Sequence, residues 1–197
     1  GKSTNIDVLV GCIEQAGHKV LTTREPGGTP FAEDIREILM NRADEPVPEI
    51  AELLLMFAAR SFNVNNVIVP ALEAGTWVVC DRFTDSSRAY QGGGRGLPMT
   101  TIDSLADWVH GDTWPDLTLL LDAPVDVGMA RAGSRSEPDR IEQEQHDFFE
   151  RVRDCYLAIA AREPERFVII DTTREIGAVK ADVAALADQL IADKSLK

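Results

Sequence analysis

The sequence predicts an α/β fold in which short parallel strands are covered on both faces by helices. Two observations carry that reading. Short apolar runs alternate with longer helical patterns along the whole chain. The chain also opens on Gly1-Lys2-Ser3-Thr4, which reads as the second half of a phosphate-binding loop or as a solvated N-terminus, set directly before a helical pattern.

The elements follow in order. Thr4 to Ala16 has helical spacing and stops at Gly17, and Lys19 to Thr23 reads as a short strand. Pro30 to Met40 reads as a helix, with Pro30 suited to its first turn. Glu49 to Glu73 is a long helical stretch adjusted at Pro70 and closed by Gly75. Thr76 to Cys80 is a buried strand bounded by Gly75 and Asp81, and Thr101 to Val109 is a helix. Leu117 to Leu121 is the next buried strand, with a helix from Val125. A charged helix is expected from Asp139 to about Arg162, then a strand from Phe167 to Ile170 and an amphipathic helix from Ile176 to Ala192. The glycine-rich stretch Gln91 to Leu97 and the polar stretch Gly133 to Pro138 are expected as functional loops.

The chain has 197 residues, enough for one domain with a real core. Its formal charge of −13 opposes non-specific attraction to nucleic acid polymers. Local charge is arranged differently: every cationic residue between Lys19 and Lys180 is an arginine, the residue whose planar fork suits phosphate. No apolar run approaches the length of a membrane span, and the chain does not open with a secretory signal. Cys12, Cys80 and Cys155 suggest neither a disulfide framework nor a zinc site, which makes a cytoplasmic setting the expectation.

In a phosphate-binding loop the backbone N–H groups and the helix N-terminus hold phosphate, the lysine reaches the β and γ phosphates, and the hydroxyl ligates Mg²⁺. Lys2 and Ser3 stand in those positions. The first half of that motif and the strand before it lie outside the sequence, so an upstream segment is expected. Arg24-Glu25-Pro26-Gly27-Gly28-Thr29 sits at the C-terminal end of a strand, where open α/β sheets bind ligands, although Pro-Gly-Gly also makes a plain turn. Asp81, ending the next strand, is placed to hold Mg²⁺ or its waters; as a helix N-cap it would serve equally. Tyr90 to Leu97 sets four glycines around Arg95, read either as a flexible backbone clasping an anion or as a disordered loop.

Together these stretches resemble the bacterial thymidylate kinases. The carriers are GKST at 1–4, TREPGGT at 23–29, LLLMFAAR at 53–60, DRF at 81–83, AYQGGGRGL at 89–97 and DRIEQE at 139–144, in order over nearly the whole chain. The resemblance implies a single three-layer P-loop kinase domain over 1–197. Its parallel sheet has five strands in the family, of which four are visible here, with a lid near 131–140. It implies transfer of the γ-phosphoryl group of MgATP to dTMP, giving dTDP on the way to dTTP, by a homodimer formed through the long helix at 49–73. Gly1, Lys2, Ser3 and Thr4 would hold the ATP phosphates, with Arg131 and Thr172 on the nucleotide side. Ser3 and Asp81 would serve Mg²⁺, Asp81 directly or through water. Arg60 and Arg82 would bind the acceptor phosphate with Arg24 nearby. Phe57 would stack on the base, although many relatives place that aromatic where Met56 stands. Ser87 would face the base edge, Tyr90 the deoxyribose, and Gln91 completes the dTMP set. Arg135 best matches the lid arginine that reaches the transferring group, giving Lys2, Arg82 and Arg135 as the catalytic set. A kinase for another nucleoside monophosphate and a non-catalytic nucleotide sensor are the competing readings.

Overall fold

A computed structural model describes residues 2–41, 45–132 and 139–195. Four strands, β1 (Val20–Arg24), β2 (Trp77–Asp81), β3 (Thr118–Asp122) and β4 (Phe167–Asp171), alternate with helices. Each strand lies within one residue of its expected limits, because a short β-branched or leucine-rich run closed by a polar residue has few other solutions.

All strand pairing is parallel. Val20 to Arg24 pair in register with Trp77 to Asp81, and Thr118 to Asp122 pair with Phe167 to Asp171. The register aligns the strand ends, so Arg24 lies beside Asp81 and Asp122 beside Asp171. The four strands do not form one continuous sheet, however. β1–β2 and β3–β4 are separate two-stranded sheets, and the edges of β2 and β3 face a common cleft without bonding to each other.

Helices α1 (Lys2–Gln15) and α9 (Ile176–Ser195) pack together over one face of β3–β4. There Val8 and Leu9 meet Leu119, Leu121, Ile170, Val179 and Val183. Helix α8 (His146–Arg162) covers the other face through Ile159, Ala160 and Phe167. Helices α2 (Pro30–Asn41) and α3 (Glu49–Asn63) form a second apolar seam at Ala32, Ile35, Leu39 and Ala59. Leu53 and Phe57 on α3 meet Ile102 and Ala106 on α6, which runs from Met99 to Val109.

The adjustment expected at Pro70 is a π-helical turn, Val64–Ile68, between α3 and α4 (Val69–Glu73). Val69 N–H bonds to Val64 O, five residues back. Pro70 has no N–H and its ring crowds the preceding turn, so the helix widens by one residue before continuing. Glu49–Glu73 together is 25 residues and apolar enough, by length and composition, to cross a membrane. This corrects the expectation that no such run exists. Inside the protein the stretch is a core helix, carrying Glu52 and Arg60 in buried ion pairs.

Two further expectations are overturned. Gln91 to Leu97 is neither a flexible clasp nor a disordered loop: a short helix α5 (Thr84–Ser87) continues into a π-helical segment, Arg88–Gly94, packed tightly on α8. A Cβ on Gly93 would come 2.6 Å from Cys155 Cβ, and one on Gly94 would come 2.5 Å from the Phe148 ring. The glycines let two backbones approach. The charged helix expected from Asp139 begins only at His146. Asp139 instead accepts the N–H groups of Ile141 (2.9 Å) and Glu142 (2.8 Å), a side-chain turn that competes with helix. The remaining helix is α7, Val125–Ala132.

Candidate active site

The site is built at the C-terminal ends of β1 and β2. Lys2, in the first turn of α1, donates to both oxygens of Asp81 at 2.9 and 3.2 Å. Ser3 and Thr4 share that turn, Ser3 exposed and Thr4 half-buried. Burial, with Arg82 close by, lowers the Lys2 pKa from its ordinary value, and the Asp81 carboxylate opposes the shift. Arg24 beside Asp81 donates to Glu33 at 2.8 Å, and Glu33 also takes the Gly28 N–H at 3.1 Å. Glu33 thereby holds the Pro-Gly-Gly loop, and the Arg24 bond keeps its carboxyl below the usual carboxylate range.

Arg82 has φ 72°, a left-handed backbone that side-chain-bearing residues adopt at a cost of about 1–3 kcal/mol and that concentrates at functional sites. Its guanidinium donates to the Tyr90 hydroxyl at 3.2 Å and lies 4.8 Å from the Tyr90 ring centroid. Tyr90, and after it Tyr156 and Asp81, make Arg82 hold its proton more firmly than usual. Tyr156 shares a 2.7 Å hydrogen bond with Ser86, and burial pushes its hydroxyl up to about 12.

Behind this group lies a buried ion pair. Arg60 Nε donates to Glu25 at 2.7 Å, and both terminal nitrogens reach Ser87 Oγ at 3.2 Å. Asn63 donates to the other Glu25 oxygen at 3.1 Å. The Glu25–Pro26 peptide is cis. Arg60 therefore arrives with its charge already compensated. Phe57 lies 4.5 Å beneath the Arg60 guanidinium, 2 % exposed and packed among Leu53, Ile102 and Ala106. The ring for which the resemblance implies a stacking role is thus buried among core side chains and beside Arg60. Met56, one residue earlier, lines the cleft.

On the far side of the cleft, Arg131 donates to Thr172 O at 3.0 Å, and Thr172 Oγ1 donates to Asp122 O at 2.9 Å. Arg153 grips Asp122 with two bonds of 2.7 and 2.9 Å. Lys2, Arg60, Asp81, Arg82, Ser87, Tyr90, Gln91, Arg131 and Thr172 all line one cleft of about 1600 Å³, which also includes the space between the β2 and β3 edges. Gly1 and Arg135 lie outside the described residues, as does most of the expected lid.

One cation in the cleft was missed by sequence reasoning. Arg36 on α2 donates to Pro26 O at 3.1 Å; burial and then the neighbouring Arg24 lower its pKa. Its signal was available: Arg36 falls on the apolar stripe Ala32, Ile35, Leu39 of an otherwise amphipathic helix. Glu52, buried on α3 beside Leu53, was missed for want of the same test; Glu25, in the loop after β1, carries no periodic signal.

The arrangement can hold two phosphate groups. Lys2, in the first turn of α1, is bonded to Asp81, and Arg24, Arg36 and Arg82 lie close by. Ser3 and Asp81 supply hard oxygen donors of the kind Mg²⁺ takes alongside phosphate and water. Among the described residues no cluster of three histidine, cysteine or acidic ligands forms an independent metal cage.

Comparisons agree with this geometry. The thymidylate kinase family model matches residues 1–183. The thymidylate kinase of Methylococcus capsulatus is 55% identical over 192 residues, covering 98% of this chain and 91% of the relative. That of Pseudomonas fluorescens is 50% identical over 191 residues, covering 97% and 91%. The crystal structure of thymidylate kinase from Ehrlichia chaffeensis superposes with a TM-score of 0.76 at 31% identity, over 94% of this chain and 91% of that one. With the family model matched over residues 1–183 and this likeness over nearly its whole length, the chain belongs to the thymidylate kinase family.

Proposed function

We propose that this chain phosphorylates dTMP to dTDP with MgATP as donor, feeding dTTP synthesis. The observation that carries the reading is one cleft holding Lys2 on Asp81 together with Arg36 and Arg82, with Arg24 close to Arg36. A phosphate monoester has a second pKa of about 6, so the attacking oxygen is mostly ionised near neutral pH. No general base is then required. The protein must align two anionic groups and offset their repulsion.

Gly1, Lys2, Ser3 and Thr4 take the donor phosphates, and Arg131 and Thr172 lie on the nucleotide side. Arg82 and Arg24 meet the acceptor phosphate, joined by Arg36 and by the two Arg60 nitrogens that now reach Ser87. Tyr90 packs on the deoxyribose, and Ser87, Gln91 and Met56 surround the base. Ser3 and Asp81 would hold Mg²⁺, directly or through water, and the ion would neutralise charge on the phosphates. Arg135, within a lid near 131–140, would reach the transferring group. Residues 1–197 act as one kinase domain in this reading.

We further propose a homodimer through the α2–α3 face, where Phe31, Ile38, Ile50 and Leu54 are exposed and Phe31 stacks on Phe62. Such a face supports association because large apolar side chains otherwise contact water. The three unbridged cysteines are compatible with a reducing cytoplasm, and the net charge of −13 disfavours nucleic acid polymers as partners.

The test is ADP formation with dTMP, dUMP, UMP and dCMP as acceptors. Preference for dTMP, lost in Lys2→Ala, is the expected result. ATP binding without transfer to any monophosphate would leave a nucleotide sensor instead. Sedimentation of Leu54→Glu checks the dimer: a monomer is expected, and an unchanged dimer rules out this face.

A further inference from the structure

Glu52 is 1 % exposed and no step of the phosphoryl transfer uses it. It sits on α3 where two distant segments meet it, the Gln91–Arg95 stretch and the one that carries Arg140. Gln91 Nε2 donates to Oε1 at 2.9 Å, Arg95 donates to both oxygens at 3.3 and 3.1 Å, and Arg140 donates to Oε2 at 2.6 Å. Burial alone would raise its pKa, but the bonds from Gln91, Arg95 and Arg140 outweigh burial and hold the carboxyl below its usual range. A carboxylate between two guanidinium groups is ionised and can only accept hydrogen bonds.

That fact decides the direction of a neighbouring amide. The two ends of a glutamine carboxamide have nearly the same shape, and only the hydrogen-bond network distinguishes them. Facing an ionised carboxylate, Gln91 must present its nitrogen. Its oxygen is the end left without Glu52, on a residue that lines the cleft. Gln91 itself is only 1 % exposed, so a reversed amide would set its oxygen against a buried carboxylate.

We propose that Glu52 is a positioning residue which fixes the Gln91 carboxamide oxygen toward the acceptor base. The pocket thereby selects a base edge with an N–H between two carbonyls over one with a bare ring nitrogen beside an amine. The inference rests on the reading of the cleft as a nucleoside monophosphate site and names the device that sets its base preference. Thymine and uracil carry the first edge, which donates to the Gln91 oxygen. Cytosine carries the second and would set a lone pair against it. Arg95 and Arg140 act one layer further out, keeping Glu52 charged.

The experiment compares kcat/KM for dTMP and dCMP in the full-length enzyme and its variants, each checked for folding by circular dichroism. Glu52→Gln can donate as well as accept, so Gln91 is free to turn, and the dTMP/dCMP ratio is expected to fall at least about tenfold. Glu52→Asp remains acceptor-only and should keep the ratio within about twofold even where kcat drops. Gln91→Met should lose the ratio too, and adding Glu52→Gln in that background should change it no further. Equal losses for both substrates in Glu52→Gln, or a parent enzyme with no preference for dTMP over dCMP, overturn the proposal. So does a ratio retained in Gln91→Met, which decides the matter even where Glu52→Gln does not fold. Failure of the parent enzyme to phosphorylate any monophosphate would sink the kinase reading instead and is seen first.

Discussion

Arg60 and Glu25 form an ion pair of 2.7 Å with side chains only 3% and 4% exposed, joining the core helix α3 to the strand-end motif after β1. Two desolvated charges stabilise each other, and either alone is costly. Ser87, Asn63 and the faces of Phe57 and Phe83 complete the enclosure. Removing Glu25 leaves a guanidinium buried without its counter-charge, which costs about 3–5 kcal/mol. Glu25→Ala is therefore expected to lower urea-unfolding stability by that order and to raise KM for dTMP more than for ATP. Stability within about 0.5 kcal/mol of the parent would contradict this account of the pair.

Arg36 has the opposite signature. Its guanidinium is close to Arg24, has one bond to a backbone carbonyl, and has a pKa lowered by burial and by that cation. Cations held together in a cleft await an anion. Arg36→Met is expected to raise KM for dTMP about tenfold or more, with little change in KM for ATP, because a charge-assisted phosphate contact contributes about 1.5–3 kcal/mol. Steady-state kinetics with each substrate varied in turn reads this directly. A loss shared equally by both substrates would place Arg36 elsewhere in the cycle.

Gly94 tests the packing of the glycine-rich motif. An added methyl would sit 2.5 Å from Phe148 Cε2 and 2.9 Å from Val152. Gly94→Ala is expected to destabilise by about 1–3 kcal/mol through overpacking. Combining it with Phe148→Leu should recover part of that loss in thermal melts. Were the segment a mobile anion clasp, Gly94→Ala would leave the melting temperature unchanged and weaken nucleotide binding alone.

His110 predicts a pH dependence of stability. Its Nε2 shares a 2.7 Å hydrogen bond with Thr84, Nδ1 is buried without a partner among the described residues, and the rings of Phe83 and Trp114 pack against it. Burial, then the nearby Arg60, pushes its pKa down to about 4 from 6.5. Between those values the unfolded chain binds a proton that the folded protein refuses. The His110 contribution is complete above pH 6.5 and is lost as pH falls toward 4. From pH 7 to pH 5 the parent should lose about 1–2 kcal/mol more than His110→Gln in urea titrations. Parallel pH profiles for the two proteins would show that His110 does not titrate in this window.

Much of the scaffold was legible in the residues. The strands ending at Arg24, Asp81, Asp122 and Asp171 were found because an apolar run closed by a polar residue is a local signal. The helix adjustment at Pro70 was legible for the same reason, since a missing N–H acts on its own turn. The placement of Lys2 and Asp81 at one site followed from where ligands bind in open α/β sheets.

The alternation of elements and the chemistry at the strand ends are both written in neighbouring residues. The tertiary structure decided the rest. It made a helix of the glycine run, because only the approach of α8 reveals what those missing side chains make room for. It ended the helix expected from Asp139, because a local side-chain turn and the Arg140 bonds to Leu39 O and Glu52 hold that segment elsewhere. It also turned Glu25 and Glu52 from unremarked acids into buried counter-charges, with partners 35 to 88 positions away in the chain. Periodicity reports which face of an element is apolar; only packing reports which distant charge that face will meet.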